Sequence, residues 1–202
     1  MVIQFKDSAL PLHPDLRAAW QPIRITAVNE ATLATFTTDF NKLLNSPLEF
    51  VPLIVDSYGG HLTQLFGMIQ LINSSIKPVL TYCPTKAYSA GSILLSCGTP
   101  GMRFASPLAS IMVHEAWSSA DGSPHEQINN AKETERLQDL MFGVLNKNCG
   151  KANGYFESLI TKNKSADLYL DAKTAKKHGL IDRIGLPVVE VSVNLKTEVA
   201  IG

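Results

Sequence analysis

The segment FVPLIVDSYGG, residues 50–60, sets the expected fold of this chain. Its first half is an uninterrupted apolar run, which is typical of a strand buried on both faces of a sheet. Its second half is a turn that ends in Gly59 and Gly60, and apolar residues at helical spacing then continue to about Ser74. A buried strand, a tight turn and an amphipathic helix together are typical of an α/β protein.

The same alternation of strand and helix continues on both sides of this segment. The expected strands lie at residues 23–27, 79–83 and 109–114, and the expected helices at residues 30–45, 93–97, 153–163 and 171–178. Strands that alternate with helices predict an α/β fold with a largely parallel sheet.

A capping box predicts a long helix in the second half of the chain. In the sequence Ser-Pro-His-Glu, residues 123–126, serine is the expected N-cap, proline takes the first helical position, and glutamate follows three residues after the serine. We expect this helix to end near Gly150. The apolar residues on its expected core face are Ile128, Ala131, Leu137, Met141, Val144 and Leu145.

The length of 202 residues fits a single domain, residues 1–202. Residues 1–20, which include Pro11 and Pro14, predict an irregular N-terminal arm, and residues 21–186 form the expected core. Residues 187–202 form a C-terminal extension. Apolar and polar residues alternate there between 189 and 195, which predicts an additional strand.

The composition argues against several kinds of partner. Lys plus Arg number 18, as do Asp plus Glu, so the formal net charge is zero and the basic surface of a nucleic-acid-binding protein is missing. No apolar run approaches the ~20 residues of a membrane-spanning helix, and the N-terminus lacks the pattern of a secretory signal. Three scattered cysteines without a C-x-x-C pair indicate reduced thiols. We therefore expect a cytoplasmic protein with neither a nucleic-acid nor a membrane partner.

Three common cofactor or metal motifs are also missing from the sequence. Neither G-x-x-x-x-G-K-[ST] nor G-x-G-x-x-G occurs, so no phosphate-binding loop is predicted. His114-Glu115 is not followed by a second histidine at position 118, where Ser118 stands, so the zinc-peptidase helix motif is absent. We expect no metal and no cofactor.

Three predicted strand ends carry residues that could perform chemistry. They are the pair Gly59-Gly60, the segment Ser89-Ala90-Gly91, and His114. Binding and catalytic sites of α/β folds gather where strands end and the next turns begin. These three segments are therefore expected to form one site.

Ser89 and His114 each allow a catalytic and a purely structural interpretation. Ser89 precedes an apolar helix, whose N-terminal N–H groups favour a developing oxyanion, but Ser89 or Ser92 could equally be its N-cap. His114 ends an apolar strand and has the pKa range of a general base. Its alternative is a buried histidine bonded to a backbone carbonyl.

Asp167 and the glycine pair are less distinctive. Asp167 follows a polar run, where an aspartate in a loop or at a helix cap is common. Gly59-Gly60 could let a substrate backbone approach closely, or could serve a tight turn that needs positive φ.

Four segments, in this order, resemble the Clp protease proteolytic subunit (ClpP) family of self-compartmentalising serine peptidases. The likeness runs from about residue 23 to residue 184. The segments are Asp56-Ser-Tyr-Gly-Gly60, Ala87-Tyr-Ser-Ala-Gly91, Ile111-Met-Val-His114, and Asp167-Leu-Tyr-Leu-Asp-Ala172 through His178-Gly-Leu-Ile-Asp182. The resemblance implies the ClpP/crotonase-like fold, a superhelix of repeated β-β-α units with a protruding handle at about residues 115–150.

The resemblance also implies a serine-type endopeptidase without a cofactor. Ser89 would be the nucleophile, His114 the general base, and Asp167 the group that orients the imidazole and stabilises its cation. The backbone N–H groups of Gly60 and Ala90 would form the oxyanion hole.

The family further implies how substrate is held and how the subunits assemble. An extended peptide would be bound by Gly59, Gly60, Glu115, Ala116 and Trp117. After the histidine the family usually has Gln-Pro and then a glycine pair, so Glu115-Ala116-Trp117 predicts a different substrate preference. Two stacked heptameric rings would form a homo-tetradecamer. A hexameric AAA+ ATPase unfoldase would thread unfolded proteins into it, whereas small peptides would enter unaided.

Two other interpretations of the sequence remain. A catalytically silent structural or regulatory subunit of a mixed ring would keep the fold without the activity, although all three triad positions are filled. A crotonase-like acyl-CoA enzyme would use paired backbone N–H donors, but that chemistry does not need Ser89, His114 and Asp167 as a set.

Overall fold

A computed structural model of the chain describes residues 2–5, 21–119, 121–163 and 167–191. The strands are β1 (Val2–Phe5), β2 (Ile23–Ile25), β3 (Val51–Val55), β4 (Val79–Cys83), β5 (Lys86–Tyr88), β6 (Arg103–Ala105), β7 (Ser110–His114), β8 (Asp167–Asp171), β9 (Arg183–Ile184) and β10 (Val188–Val191). The helices are α1 (Glu30–Leu44), α2 (Leu62–Asn73), α3 (Ala90–Ser96), α4 (Pro124–Asn148), α5 (Tyr155–Asn163) and α6 (Ala172–His178).

The strands form a mostly parallel arrangement, which confirms the predicted α/β class. The largest sheet has the order β2-β3-β4-β6-β9, with every neighbouring pair parallel. A second sheet has the order β5-β7-β8, in which β5 and β7 are parallel and β7 and β8 antiparallel. Every residue of β3 and β4 is buried, which explains why these strands are continuous apolar runs in the sequence.

A large hydrophobic core lies between the sheets and the helices, and a second, smaller cluster contains Ile54, Leu80 and Tyr82. The largest wholly buried side chains of the large core include Phe36 and Phe40 of α1, Phe142 of α4 and Phe156 of α5. Among the described helices, α3 is the most enclosed, because all seven of its residues are buried. It is the helix that follows Ser89, so the core holds this part of the chain firmly.

Helix α4 begins as predicted but differs from the prediction along its first half. Both hydrogen bonds of the Ser123–Glu126 capping box are present. Ile128 and Ala131, however, are exposed, and the first buried residue of this helix is Met141. The first half of α4 projects from the body of the protein, so its apolar residues do not contribute to the core of this chain.

The first and last described strands, β1 and β10, form a small parallel sheet. β1 pairs with β10 in the register Val2 to Val188 through Phe5 to Val191. The predicted irregular arm therefore contains a strand at its start, while residues 6–20 lie outside the described residues. The strand predicted at residues 189–195 corresponds to β10, and residues 192–202 also lie outside the described residues.

A buried ion pair joins Arg103 of β6 to Asp182, the residue before β9. Arg103 Nη2 lies 2.6 Å from Asp182 Oδ1, and Arg103 Nη1 donates to the backbone carbonyl of Asn148 at 2.8 Å. Burial alone would raise the pKa of Asp182, but hydrogen bonds from Arg103 and from the Gly101 N–H outweigh it and lower the pKa. This contact fixes the C-terminal end of α4 against the main sheet.

Candidate active site

Backbone hydrogen bonds bring the ends of β3, β5 and β7 side by side. The Ser57 N–H donates to the Lys86 carbonyl at 3.1 Å, and the Tyr88 N–H donates to the Ser57 carbonyl at 2.9 Å. On the other side, the Ser89 N–H donates to the Met112 carbonyl at 2.8 Å. The three segments that the sequence analysis expected in one site therefore lie together.

Ser89 has an unusual backbone conformation. Its φ is 54° and its ψ is −127°, and within the described residues no other non-glycine residue has a positive φ. Such a conformation is strained and persists only where the surrounding structure enforces it. Here the enclosed helix α3 and the bond to β7 enforce it. The sequence pattern gave no signal for this feature, because it depends on contacts distant in the chain.

The side chain of Ser89 does not cap the helix that follows it. Ser89 occupies the N-cap position of α3 but makes no side-chain capping bond, and Ser92 Oγ donates instead to the Ser89 carbonyl at 2.7 Å. Ser89 Oγ lies 2.8 Å from His114 Nε2. Ser89 therefore stands at the N-cap position without capping the helix through its side chain, and Ser92 is not the N-cap.

His114 and Asp167 face each other across the antiparallel pair β7–β8. They are register partners, and His114 Nδ1 lies 3.8 Å from Asp167 Oδ1. Their side chains are 26% and 41% exposed, so the imidazole is half-buried while the carboxylate reaches solvent. Ser89, His114 and Asp167 thus form a row in which a serine hydroxyl, an imidazole and a carboxylate are neighbours in that order. The alternative of a histidine bonded to a backbone carbonyl does not fit the Ser89 contact.

The glycine pair sits directly against Ser89 and against Val28, which lies between β2 and α1. A Cβ added to Gly59 would lie 2.7 Å from Ser89 Cβ, and one added to Gly60 would lie 2.0 Å from the Val28 carbonyl oxygen. Their φ values are 103° and 150°. Both a positive φ and a close approach therefore require glycine at these two positions.

Ser57 fixes the conformation of this loop and was missed by the sequence analysis. It is completely buried, and its Oγ accepts a hydrogen bond from the Gly59 N–H at 3.0 Å. On the other side of the site, Ala90 begins α3, so its backbone N–H has no partner within the helix.

The segment after His114 leads from the site toward α4. Glu115 and Trp117 are exposed, with Trp117 82% accessible. The Ala116 N–H donates to Gln138 Oε1 at 2.8 Å, a contact to α4 that the sequence did not predict. The segment therefore continues from the end of β7 toward α4 and includes Glu115, Ala116 and Trp117.

The three cysteines are unsuited to act as nucleophiles. Burial raises the pKa of Cys83, Cys97 and Cys149 to about 12, which keeps the thiols protonated near neutral pH. All three are free thiols. Within the described ranges, no helix is both long and apolar enough to cross a membrane.

Comparison with protein families gives one match for this chain. The family model described as Clp protease matches residues 24–187, which include the whole site described above.

Proposed function

Because the chain belongs to the Clp protease family, a family of peptidases, we propose that it is a serine-type peptidase subunit in which Ser89, His114 and Asp167 form the catalytic triad. The observation that carries the proposal is the 2.8 Å contact between Ser89 Oγ and His114 Nε2, made by a serine in a strained backbone conformation. A structural serine would have no need of that conformation or of that partner.

The proposed reaction follows from the order of the three side chains. Ser89 Oγ attacks the substrate carbonyl carbon while His114 Nε2 takes the hydroxyl proton. Asp167 orients the ring through Nδ1–H and stabilises the imidazolium. The carbonyl oxygen becomes an oxyanion, which accepts hydrogen bonds from the Gly60 and Ala90 N–H groups.

The remaining steps release the two products. His114 gives its proton to the leaving amine nitrogen, the C–N bond breaks, and an acyl ester remains on Ser89. A water molecule then attacks the ester, with His114 again taking the proton, and the acid product leaves. Glycine at 59 and 60 lets this loop pack directly against Ser89 and Val28, which brings the Gly60 N–H close to the nucleophile. The segment Glu115 to Trp117 offers an extended edge for the acyl side of the substrate.

The proposal includes assembly into two stacked heptameric rings served by a hexameric AAA+ ATPase. The projecting first half of α4 supports a contact between subunits, because Ile128 is 52% and Leu140 48% exposed on the same helix. The ATPase would unfold and deliver proteins, whereas the peptidase reaction itself would need no ATP. Sedimentation as a particle many times the 22.0 kDa chain mass is expected.

A fluorophosphonate probe tests the proposed nucleophile directly. We expect the probe to label wild-type protein at Ser89, as located by peptide mapping, and Ser89→Ala to lose both labelling and peptide hydrolysis. Ser92→Ala is the matched control, since Ser92 lies three residues away in the same segment and should leave labelling at Ser89. An assembled sample that hydrolyses no peptide and takes no label would instead support the silent subunit.

A further inference from the structure

The sheet face that carries His114 and Asp167 continues into a row of aromatic side chains. In the register of the second sheet, Tyr88 pairs with Met112, and Met112 pairs with Tyr169. Met112 is two residues before His114, and Tyr169 is two residues after Asp167. Because side chains on a strand alternate between faces, Met112, His114, Asp167 and Tyr169 point to the same face. The row therefore lies directly beside the candidate triad.

Contacts between the rings make this surface rigid. The Tyr88 ring packs edge-on against Tyr169, with centroids 5.6 Å apart, and against Tyr58, with centroids 5.8 Å apart. Lys86 Nζ lies 4.5 Å above the Tyr58 ring and 3.2 Å from Asp56 Oδ1. The lysine charge is thus paired, and the aromatic row (Tyr58, Tyr88 and Tyr169) presents an ordered apolar surface.

The aromatic row is accessible although its members touch one another. Tyr58 is 72% and Tyr169 58% exposed. The opposite face of the same sheet is fully covered, since Ala87, Ile111 and Val113 belong to the core. A contiguous exposed aromatic surface beside a catalytic row is typical of a binding surface.

We propose that the aromatic row binds the substrate residue on the leaving-group side of the scissile bond and favours aromatic and large apolar side chains there. This inference rests on the proposed function. His114 must deliver its proton to the leaving nitrogen, so the leaving segment has to pass His114. Tyr88 and Tyr169 are register partners of Met112, which precedes His114 on β7. Residues 115–117 follow His114. The acyl and leaving sides of the substrate therefore have separate surfaces on either side of the imidazole.

A pair of internally quenched peptides tests this subsite. The peptides share their acyl-side sequence and carry either Phe or Gly immediately after the bond that is cut, with the cleavage point verified by mass spectrometry. We expect wild-type protein to cleave the Phe peptide with a kcat/KM about fivefold higher, the scale of one aromatic pair. Tyr169→Ala should bring the ratio close to one, and Tyr169→Phe, which keeps the ring, should retain it.

The controls separate failure of the subsite from failure of the proposed function. Ile76→Ala removes an apolar side chain that is 87% exposed outside the row and should keep the wild-type ratio. Equal cleavage of both peptides by wild type, or a preference that survives Tyr169→Ala, overturns the subsite while leaving the peptidase intact. A preference that survives Tyr169→Ala would assign the aromatic row to another occupant, such as a second copy of the chain. No cleavage, together with no fluorophosphonate label at Ser89, removes the proposed function and the subsite with it.

Discussion

Substitution of Ser57 by alanine tests whether the glycine loop must be held in place for catalysis. Ser57 joins the loop to the nucleophile strand in two ways. Its backbone bonds to Lys86 and Tyr88, and its Oγ accepts the Gly59 N–H at 3.0 Å. Ser57→Ala leaves the backbone pairing possible but removes the acceptor of the Gly59 N–H, so the Tyr58–Gly59 peptide unit loses this anchor. The next peptide unit, which carries the Gly60 N–H, is still held by the Val28 N–H bond to the Gly59 carbonyl at 2.9 Å, so it is displaced only in part.

Two effects of different size are expected from Ser57→Ala. A buried N–H without an acceptor costs about 1–3 kcal/mol in the free energy of unfolding. In addition, the Gly60 N–H loses part of its alignment toward the oxyanion. Complete loss of one oxyanion donor lowers kcat by about 10²–10³-fold, so partial misalignment is expected to lower it by about tenfold, with little change in KM.

The assay is peptide hydrolysis, with kcat and KM measured separately, alongside urea denaturation. Ser96→Ala is the matched control, because Ser96 is also a buried serine, and its hydroxyl donates to the Ile93 carbonyl within α3 at 2.6 Å. We expect Ser96→Ala to lower stability without a comparable fall in kcat. If both variants lose stability equally and keep the wild-type kcat, Ser57 is purely structural and the reasoning is refuted.

Two further predictions concern stability. Asp182→Asn leaves the buried Arg103 guanidinium without its carboxylate and should lower the free energy of unfolding, measured by urea denaturation, by about 3 kcal/mol. The control Glu133→Gln breaks the exposed pair with Arg136 and should leave the urea midpoint nearly unchanged. The pKa of His178 is lowered by burial and by neighbouring lysines, so below pH 6.5 the unfolded chain takes up a proton that the folded chain resists. Thermal stability should therefore fall as the pH drops from 7 to 5, and His178→Gln should flatten that dependence.

Each of these two predictions has an outcome that contradicts it. Equal midpoints for Asp182→Asn and wild type would mean that Arg103 finds another partner or reaches solvent. Parallel pH profiles for His178→Gln and wild type would mean that other groups cause the acid dependence.

The sequence predicted the long or fully buried elements and missed short strands such as β5 and β6. β3 and β4 were predictable because every residue in them is buried, which leaves an unbroken apolar run. β5 and β6 have three residues each and begin with Lys86 and Arg103, so they show neither an apolar run nor a clear alternation. Such strands form because their neighbours in the sheet supply hydrogen bonds, which no local pattern records.

The members of the candidate site were predictable, but their geometry was not. The pattern pointed to His114 because it ends an apolar strand, and to Ser89 because it directly precedes an apolar helix. What aligns Asp167 with His114 is the antiparallel register of β7 and β8, which arises from tertiary packing. The exposure of Ile128 was also unpredictable, because a helical pattern shows that a face is apolar without showing what covers it.

The positive φ of Ser89 lowers the stability of the folded state. A non-glycine residue in such a conformation costs on the order of 1–3 kcal/mol, a large part of the net stability of a typical domain. Glycine at this position would relieve the strain, so folding alone would favour it over serine. The wholly buried helix α3 prevents the strain from relaxing by local rearrangement. In the proposed peptidase, the position thus exchanges native-state stability for reactivity, and loss of selection for the hydroxyl would favour its replacement by the smaller residue.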